Sequence, residues 1–459
     1  MPRGEAVRNF LYSDTIKVLS KNARVTVLSV VDDPVFIDKF NNYTEQVIKL
    51  IDFKESKLVY RLRQIIHDAH FKWLGSYVAV NYFDRKAIKE KKEGRYLKYK
   101  LWYALVSLLA NQFLLKWITK IENWITWKYR PNDYFVNLFK ELKPDLVFNT
   151  SHIHGPAGDL PAKIAHKMGI PVAGFVFSWD NLTSRSRITV PYDYYFVWTS
   201  DIKKDLIRIY PFVNPENIFV TGTPQFDYHF REEFILTKEE LAKEIGFDPN
   251  RPYILYTSGI AWHWLEEHLH LEKVIQYMKE LDLPSKPQLV VRTYVKGTSP
   301  QIFAIRDRNI SDIYFPKVEW DEKLFTPSYN DLSIYSSLLK HASLGINGAS
   351  TVTLELFIFG IPVINLGFDP ENSNIDYHMR YYRNILFDHY QPVANSGGTG
   401  VAMSNNDIKK FISEAFEEPD KRRMAQMLFI KNMFGDTLDG KAAERIGLDL
   451  LKLAGVEIN

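Results

Sequence analysis

Short apolar runs alternate with amphipathic stretches along most of this 459-residue chain. AVRNFLYSDTIKVLSKN has helical spacing, and the β-branched run that follows, ARVTVLSVV, reads as a buried strand. Residues 34–142, rich in Trp, Tyr and Lys, read as a long helical insertion. Beyond it the order becomes strand, helix, strand: KPDLVFNTS, GDLPAKIAHKMG and IPVAGFVFS, then YDYYFVWTS, DIKKDLIRIY and NIFVTGTP. After a charged helical stretch, TKEELAKEIGF, the pattern restarts with PYILYTSG, HLEKVIQYMKEL and PQLVVRTYV, and YSSLLKHA then leads to SLGING. Such alternation calls for parallel strands covered by helices on both faces. The expected fold class is therefore α/β, with two doubly wound, Rossmann-like domains at residues 1–230 and 231–430. Helices over 431–459 are expected to return to the first domain.

Composition narrows the choice of function. The chain is 46% hydrophobic and carries a formal charge of only +3, so no global field points to nucleic acid. It has no cysteine, which excludes disulfides, thiolate metal sites and cysteine nucleophiles and fits a reducing cytoplasm. The start lacks the basic and apolar segments of a signal peptide. The longest nearly uncharged apolar run, Leu101 to Leu115, falls short of the ~20 residues of a membrane span. The expectation is a cytoplasmic protein, at most peripheral on the inner face of the membrane.

The stretch LGINGASTVTLELFIFGIPVINLGFDPEN, Leu344 to Asn372, is a strand, a small polar turn, a helix with one acid, and a second strand. In open parallel sheets, ligands sit at the carboxyl ends of the strands. Gly348 and Ala349 allow close approach to the backbone, and the amides of Ala349, Ser350 and Thr351 favour an anion. Ser350 as a plain helix N-cap is the competing reading. Glu355 either reaches the hydroxyls of a ribose or faces solvent.

The pattern G-A-S-T-x-x-x-E-x-x-x-x-G-x-P-V-I resembles the donor-nucleotide motif of GT-B glycosyltransferases, in the variants found in UDP-GlcNAc 2-epimerases and CDP-glycerol glycerophosphotransferase-like enzymes. NIFVTGTPQFD is similar to the segment closing their first domain. SGGTGVAMSNNDIKKFISEAFEEPDKRRMAQ with DGKAAERI is similar to their final loop and helices. The matches are scattered over most of Asn217 to Leu451. The resemblance implies a GT-B architecture with two domains facing across a cleft and a nucleotide-sugar donor on the second. It puts Ser350 and Thr351 on the phosphates and Glu355 on the ribose. Gly222, Ser258, Gly348, Ala349 and Arg292 complete the expected donor-binding set. The implied activity is transfer of a sugar to a bacterial surface glycan such as capsule or lipopolysaccharide. The 2-epimerases carry H-R-x-E-N where this chain has YTSGIAWHWLEEH, which disfavours epimerisation, and Tyr294 stands where the glycerophosphotransferases tend to have H-P. Epimerisation or hydrolysis of a nucleotide sugar, polyol-phosphate transfer, and a non-catalytic glycan- or protein-binding role remain the alternatives.

An inverting transfer needs a base within reach of the acceptor hydroxyl. NTSHIHGPAGD and FSWDNLTSRSR each follow a strand end. From them we take His154, Asp159 and Asp180 as catalytic candidates and His152, Trp179 and Asn181 as the acceptor side. Capping histidines and Asx turns are the competing readings. The sequence has no D-x-D, and the histidine pair has no evident third ligand, so neither a metal nor a cofactor is expected. SGGTG lacks the Lys-Ser/Thr of a phosphate loop and reads as a flexible loop. RKAIKEKKEGRYLKYK has eight basic residues against two acids and runs into apolar helices with Trp102, Trp117, Trp124 and Trp127. The region Arg85 to Lys128 suits an anionic membrane surface, and with it a lipid-linked acceptor. A solvated charged helix followed by a core helix explains it equally well.

Overall fold

The computed structural model describes residues 1–130, 132–153, 155–295, 297–321 and 325–457. The chain divides into two compact units, residues 1–227 with 437–459, and residues 228–436.

In the first unit, β1 (Thr26–Ser29) and β2 (Gln46–Lys49) form a parallel pair. Then β3 (Val147–Asn149), β4 (Val172–Phe175), β5 (Tyr194–Val197) and β6 (Ile218–Val220) form a parallel sheet in chain order. β4 is buried at every position, as a strand covered on both faces must be. Residues 34–142 differ from the all-helical expectation, because β2 lies among them ahead of helices Lys57–Leu74, Tyr77–Lys92, Tyr96–Leu109, Gln112–Tyr129 and Asp133–Leu142. With only four residues and both ends exposed, β2 has too short an alternation to register as a strand.

The last helix, Ala442–Leu453, packs on helix Asp14–Asn22 within this unit. Gly447 makes the approach possible, since a Cβ there would lie 2.9 Å from Val18 Cβ. The buried Asp227 caps that helix by accepting from the amides of Ala442 (3.1 Å) and Ala443 (2.8 Å). Burial pushes its carboxyl up to about 6. Gly222, expected at the donor, serves this junction instead. Its φ is +78°, and a Cβ there would lie 2.7 Å from the Thr437 carbonyl oxygen.

In the second unit, β7 (Tyr253–Thr257), β8 (Gln288–Arg292), β9 (Ile313–Tyr314), β12 (Leu344–Asn347), β13 (Val363–Leu366) and β14 (Gly400–Ala402) form one parallel sheet in the order β14-β13-β12-β7-β8-β9. A short antiparallel hairpin, β10 (Trp320–Asp321) with β11 (Thr326–Pro327), stands apart from it. The four central strands are buried at every position. The chain starts in the middle at β7, runs outward through β8 and β9, and returns to the other side of β7 at β12. The strand order therefore reverses between β7 and β12, and the loops leaving their carboxyl ends diverge to opposite faces.

Replacing Asp227 by Ala leaves two helix-end amides buried without a partner. We expect a loss of about 1–3 kcal/mol in urea unfolding, with limited proteolysis cutting first before the final helix.

Candidate functional site

The reversal point is where an open α/β sheet offers a crevice. Asn347 at the end of β12 is in register with Thr257 at the end of β7, so both loops leave at one level. Between them lies the indole of Trp264. A Cβ on Gly259 would fall 1.9 Å from Trp264 Cδ1, and one on Gly348 would fall 2.3 Å from Trp264 Cζ2. The close approach expected at Gly348 is therefore taken by a tryptophan of the same chain. Tyr381 packs edge-on against that indole at 4.8 Å and donates its hydroxyl to Leu265 O at 2.8 Å. The Trp264 loop is closed by Glu267, whose buried carboxyl accepts from the Gly259 amide at 3.1 and 3.0 Å. Burial pushes this carboxyl up to about 8.

On the β12 side, a network of buried polar side chains holds the Gly348–Thr351 turn from below. Asn365 Nδ2 donates to Asn347 Oδ1 (2.7 Å) and to Thr353 Oγ1 (2.9 Å), and Asn365 Oδ1 accepts from Tyr390 (2.9 Å) and Thr399 (2.8 Å). Asn347 Nδ2 donates to Ser350 Oγ at 3.1 Å. Ser350 does not act as the N-cap of helix Val352–Ile358, since that position falls to Thr351, without a side-chain cap bond. Ala349, Ser350 and Thr351 are half-buried.

Glu355 does not face solvent. Only 2% exposed, it accepts from Tyr335 OH at 2.6 Å, and His229 Nε2 lies 3.3 Å from its other oxygen. The far nitrogen of His229 is 3.2 Å from Ser336 Oγ. These contacts fix the orientation of the Glu355 carboxyl. Arg292, expected to carry phosphate charge, is buried and ion-paired to Asp331, with Nη2 2.8 and 2.6 Å from the two carboxylate oxygens. A buried guanidinium needs such a partner, and with it the charge is already neutralised. Ser258 accepts from the Tyr294 amide (3.1 Å) and lies 3.2 Å from Thr298 Oγ1, tying the β7 loop to the β8 loop.

In the first unit, His154 lies outside the described residues. His152 is pinned at the end of β4, its Nδ1 3.2 Å from the Phe175 carbonyl and 3.3 Å from the Phe177 amide. Burial pushes the imidazole down to about 4, and the nearby Asp180 only partly offsets this. An imidazole held so far below neutral pH is a weak base. Asp180 accepts from Ser184 Oγ (2.6 Å) and from Asn181 Nδ2 (3.1 Å), while Asn181 Oδ1 accepts from the Ser178 amide (2.9 Å). The loop therefore has Asx-turn chemistry, with half-buried Trp179 at its centre. Asp159 is not gathered with these residues. Arg63 holds it at 3.6 Å and at the same time bonds Glu55 and Glu122, each at 2.7 Å. Lys163 meets Glu122 at 2.5 Å in the same group, where burial of the ions requires mutual pairing. No group of three potential metal ligands occurs among the described residues.

The sequence reading missed Trp264, Glu267, His229 and Tyr335. No spacing rule marks them: Glu267 reaches back to Gly259 within one irregular loop, and Trp264, His229 and Tyr335 meet residues of other elements. Asn347 and Asn365 were findable, since SLGIN and IPVIN each end an apolar run on an amide that must be partnered once buried.

Neither a protein-family model nor a curated protein matches the sequence. Among solved structures, the chain is similar to a putative UDP-N-acetylglucosamine 2-epimerase from Listeria monocytogenes, at 13% identity and a TM-score of 0.55, over 98% of this chain and 94% of that one. It is similar to a further UDP-N-acetylglucosamine 2-epimerase at 14% identity and a TM-score of 0.54, over 98% and 93%. At such identities the likeness establishes the fold, which is of GT-B type with two Rossmann-like domains.

Two expectations follow for the second unit. Glu267 ordinarily titrates near 4.5 and here near 8, so the stability from its neutral form is complete below 4.5 and lost as pH rises through 8. Urea melts of the wild type should therefore weaken between about pH 4.5 and 8, by up to about 1.4 kcal/mol per pH unit, and level off above 8, while those of Glu267→Gln should show no such slope. Arg292→Ala strands Asp331 and should cost about 3–5 kcal/mol, with partial recovery in Arg292→Ala/Asp331→Asn by calorimetry.

Proposed function

We propose that the protein is a GT-B glycosyltransferase that moves a sugar from a nucleotide-sugar donor to a bacterial surface glycan, without a metal. The observation that carries this reading is the buried, pre-oriented Glu355 beside the point where strand order reverses between β7 and β12. A carboxylate fixed by Tyr335 and His229 suits a pair of ribose hydroxyls, because a ligand that donates hydrogen bonds meets an acceptor already in place. Trp264 fills the space against Gly348, so the phosphates are assigned to the half-buried Ser350 and Thr351. Ser350 Oγ accepts from Asn347 and still has its own proton to donate. In the transfer, the acceptor oxygen bonds to the anomeric carbon as the carbon–oxygen bond to the diphosphate breaks. A base takes the acceptor proton, and the nucleoside diphosphate leaves with the electron pair. We assign the base to Asp180 rather than to Asp159, which is held in its ion group, and stabilisation of the leaving group to the turn at Ser350 and Thr351. The absence of D-x-D supports metal independence.

Both structural relatives reported above are named as 2-epimerases, which keeps epimerisation or hydrolysis of the donor as the second reading. The sequence order HWLEEH in place of H-R-x-E-N argues against it. A non-catalytic binding protein is the reading from another class.

Thermal melts with UDP, GDP, CDP, ADP and dTDP separate these readings. At ligand about 100-fold above its dissociation constant, one nucleotide should add roughly 2.7 kcal/mol to the wild type and much less to Glu355→Gln. Its sugar conjugate, incubated without acceptor, should stay intact. An epimerised or hydrolysed sugar would install the second reading, and no response to any nucleotide would leave the binding protein.

A further inference from the structure

Two consecutive helices of the first unit carry matching apolar stripes on their outer faces. In Tyr96–Leu109 the stripe is Leu97, Leu101, Leu105 and Leu108, and in Gln112–Tyr129 it is Phe113, Trp117, Ile121 and Trp124. The spacing i, i+4, i+8, i+11 is the same in both and traces one side of a helix. These side chains are open to solvent, with Leu97 72% exposed, Leu108 74% and Phe113 68%. The opposite sides are committed to protein. Val106, Leu115, Glu122 and Thr126 are buried, and both helices pack on Lys57–Leu74.

Neither helix crosses a bilayer on this geometry. Fourteen residues rise about 21 Å against a hydrocarbon core of about 30 Å, and the two helices meet at a bend of 103°. What remains is two exposed apolar stripes flanked by cations. Lys120 Nζ sits 5.0 Å over the Trp117 ring, Lys128 5.2 Å over Trp124, and Lys100 5.0 Å over Tyr96. Residues 85–128 hold eleven lysines and arginines against three acids, while the whole chain is only +3. Pairing this face with a second copy of itself would oppose like charges across an apolar contact. An anionic headgroup layer instead neutralises the lysines while tryptophan and leucine enter the acyl boundary.

We propose that this face is a docking surface for an anionic lipid bilayer, with both helices lying in the plane of the headgroups. The proposal is independent of the reaction assigned to the protein, because it rests on the first unit alone.

Flotation of the full chain with vesicles tests it. Binding is expected to vesicles containing phosphatidylglycerol, much weaker binding to phosphatidylcholine alone, and release at high salt. Lys120→Glu/Lys128→Glu should lower the partition coefficient more than tenfold, at about fivefold for each lysine lost. Leu108→Glu/Trp117→Glu/Trp124→Glu should abolish binding while leaving the melting temperature unchanged, since all three side chains are exposed. Absence of flotation with either vesicle overturns the proposal. So does equal, salt-insensitive binding to both vesicles. A concentration-dependent dimer in sedimentation velocity that the triple variant dissolves, with no vesicle binding, would assign the face to self-association instead.

Discussion

Asn347 and Asn365 stand side by side in register on β12 and β13, and both are buried. A buried amide without partners costs roughly 1–3 kcal/mol, and two in adjacent strands would undermine the sheet edge where the candidate site lies. Thr353 from the following helix, Tyr390 from the cap of helix Gln391–Ala394 and Thr399 ahead of β14 converge to satisfy them. The turn Gly348–Thr351 thus takes its geometry from below. Its Ser350 is held by Asn347, so the position of the turn is set before any ligand arrives.

The same demand for partners explains which charged candidates have functional room. Arg292 and Asp159 look available in the sequence because a charged residue near a strand end is normally near water. Folding buries Arg292 and half-buries Asp159, and each then acquires a counter-ion: Asp331 for Arg292, and Arg63 for Asp159. Glu355 is also buried, and a phenol and an imidazole are among the partners that fix its direction. The difference lies in the chemistry of the neighbours, not in the residue itself.

Apolar residues follow the opposite logic on helices Tyr96–Leu109 and Gln112–Tyr129. Each helix has one face packed inside the fold and a second, apolar face outside it. Burial inside the fold therefore does not account for the hydrophobicity that these segments carry on their exposed side.

The alternation of strand and helix was legible from residue 143 onward, because a strand buried on both faces must be continuously apolar and its crossover helix must be amphipathic. The GT-B architecture was implied by the family resemblance that the motif at 348–355 carries. β2 was not legible, being four residues long and half exposed. Of the site, the sequence by itself determined the strand-end turn and its acid, since small residues and a lone glutamate at that spacing are local features. Only the tertiary structure decided that Trp264 lies between Gly259 and Gly348, that Tyr335 and His229 hold Glu355, and that Arg292 is neutralised. Those are contacts between segments far apart in the chain, and no local pattern encodes which side chain will arrive from the other side of a sheet.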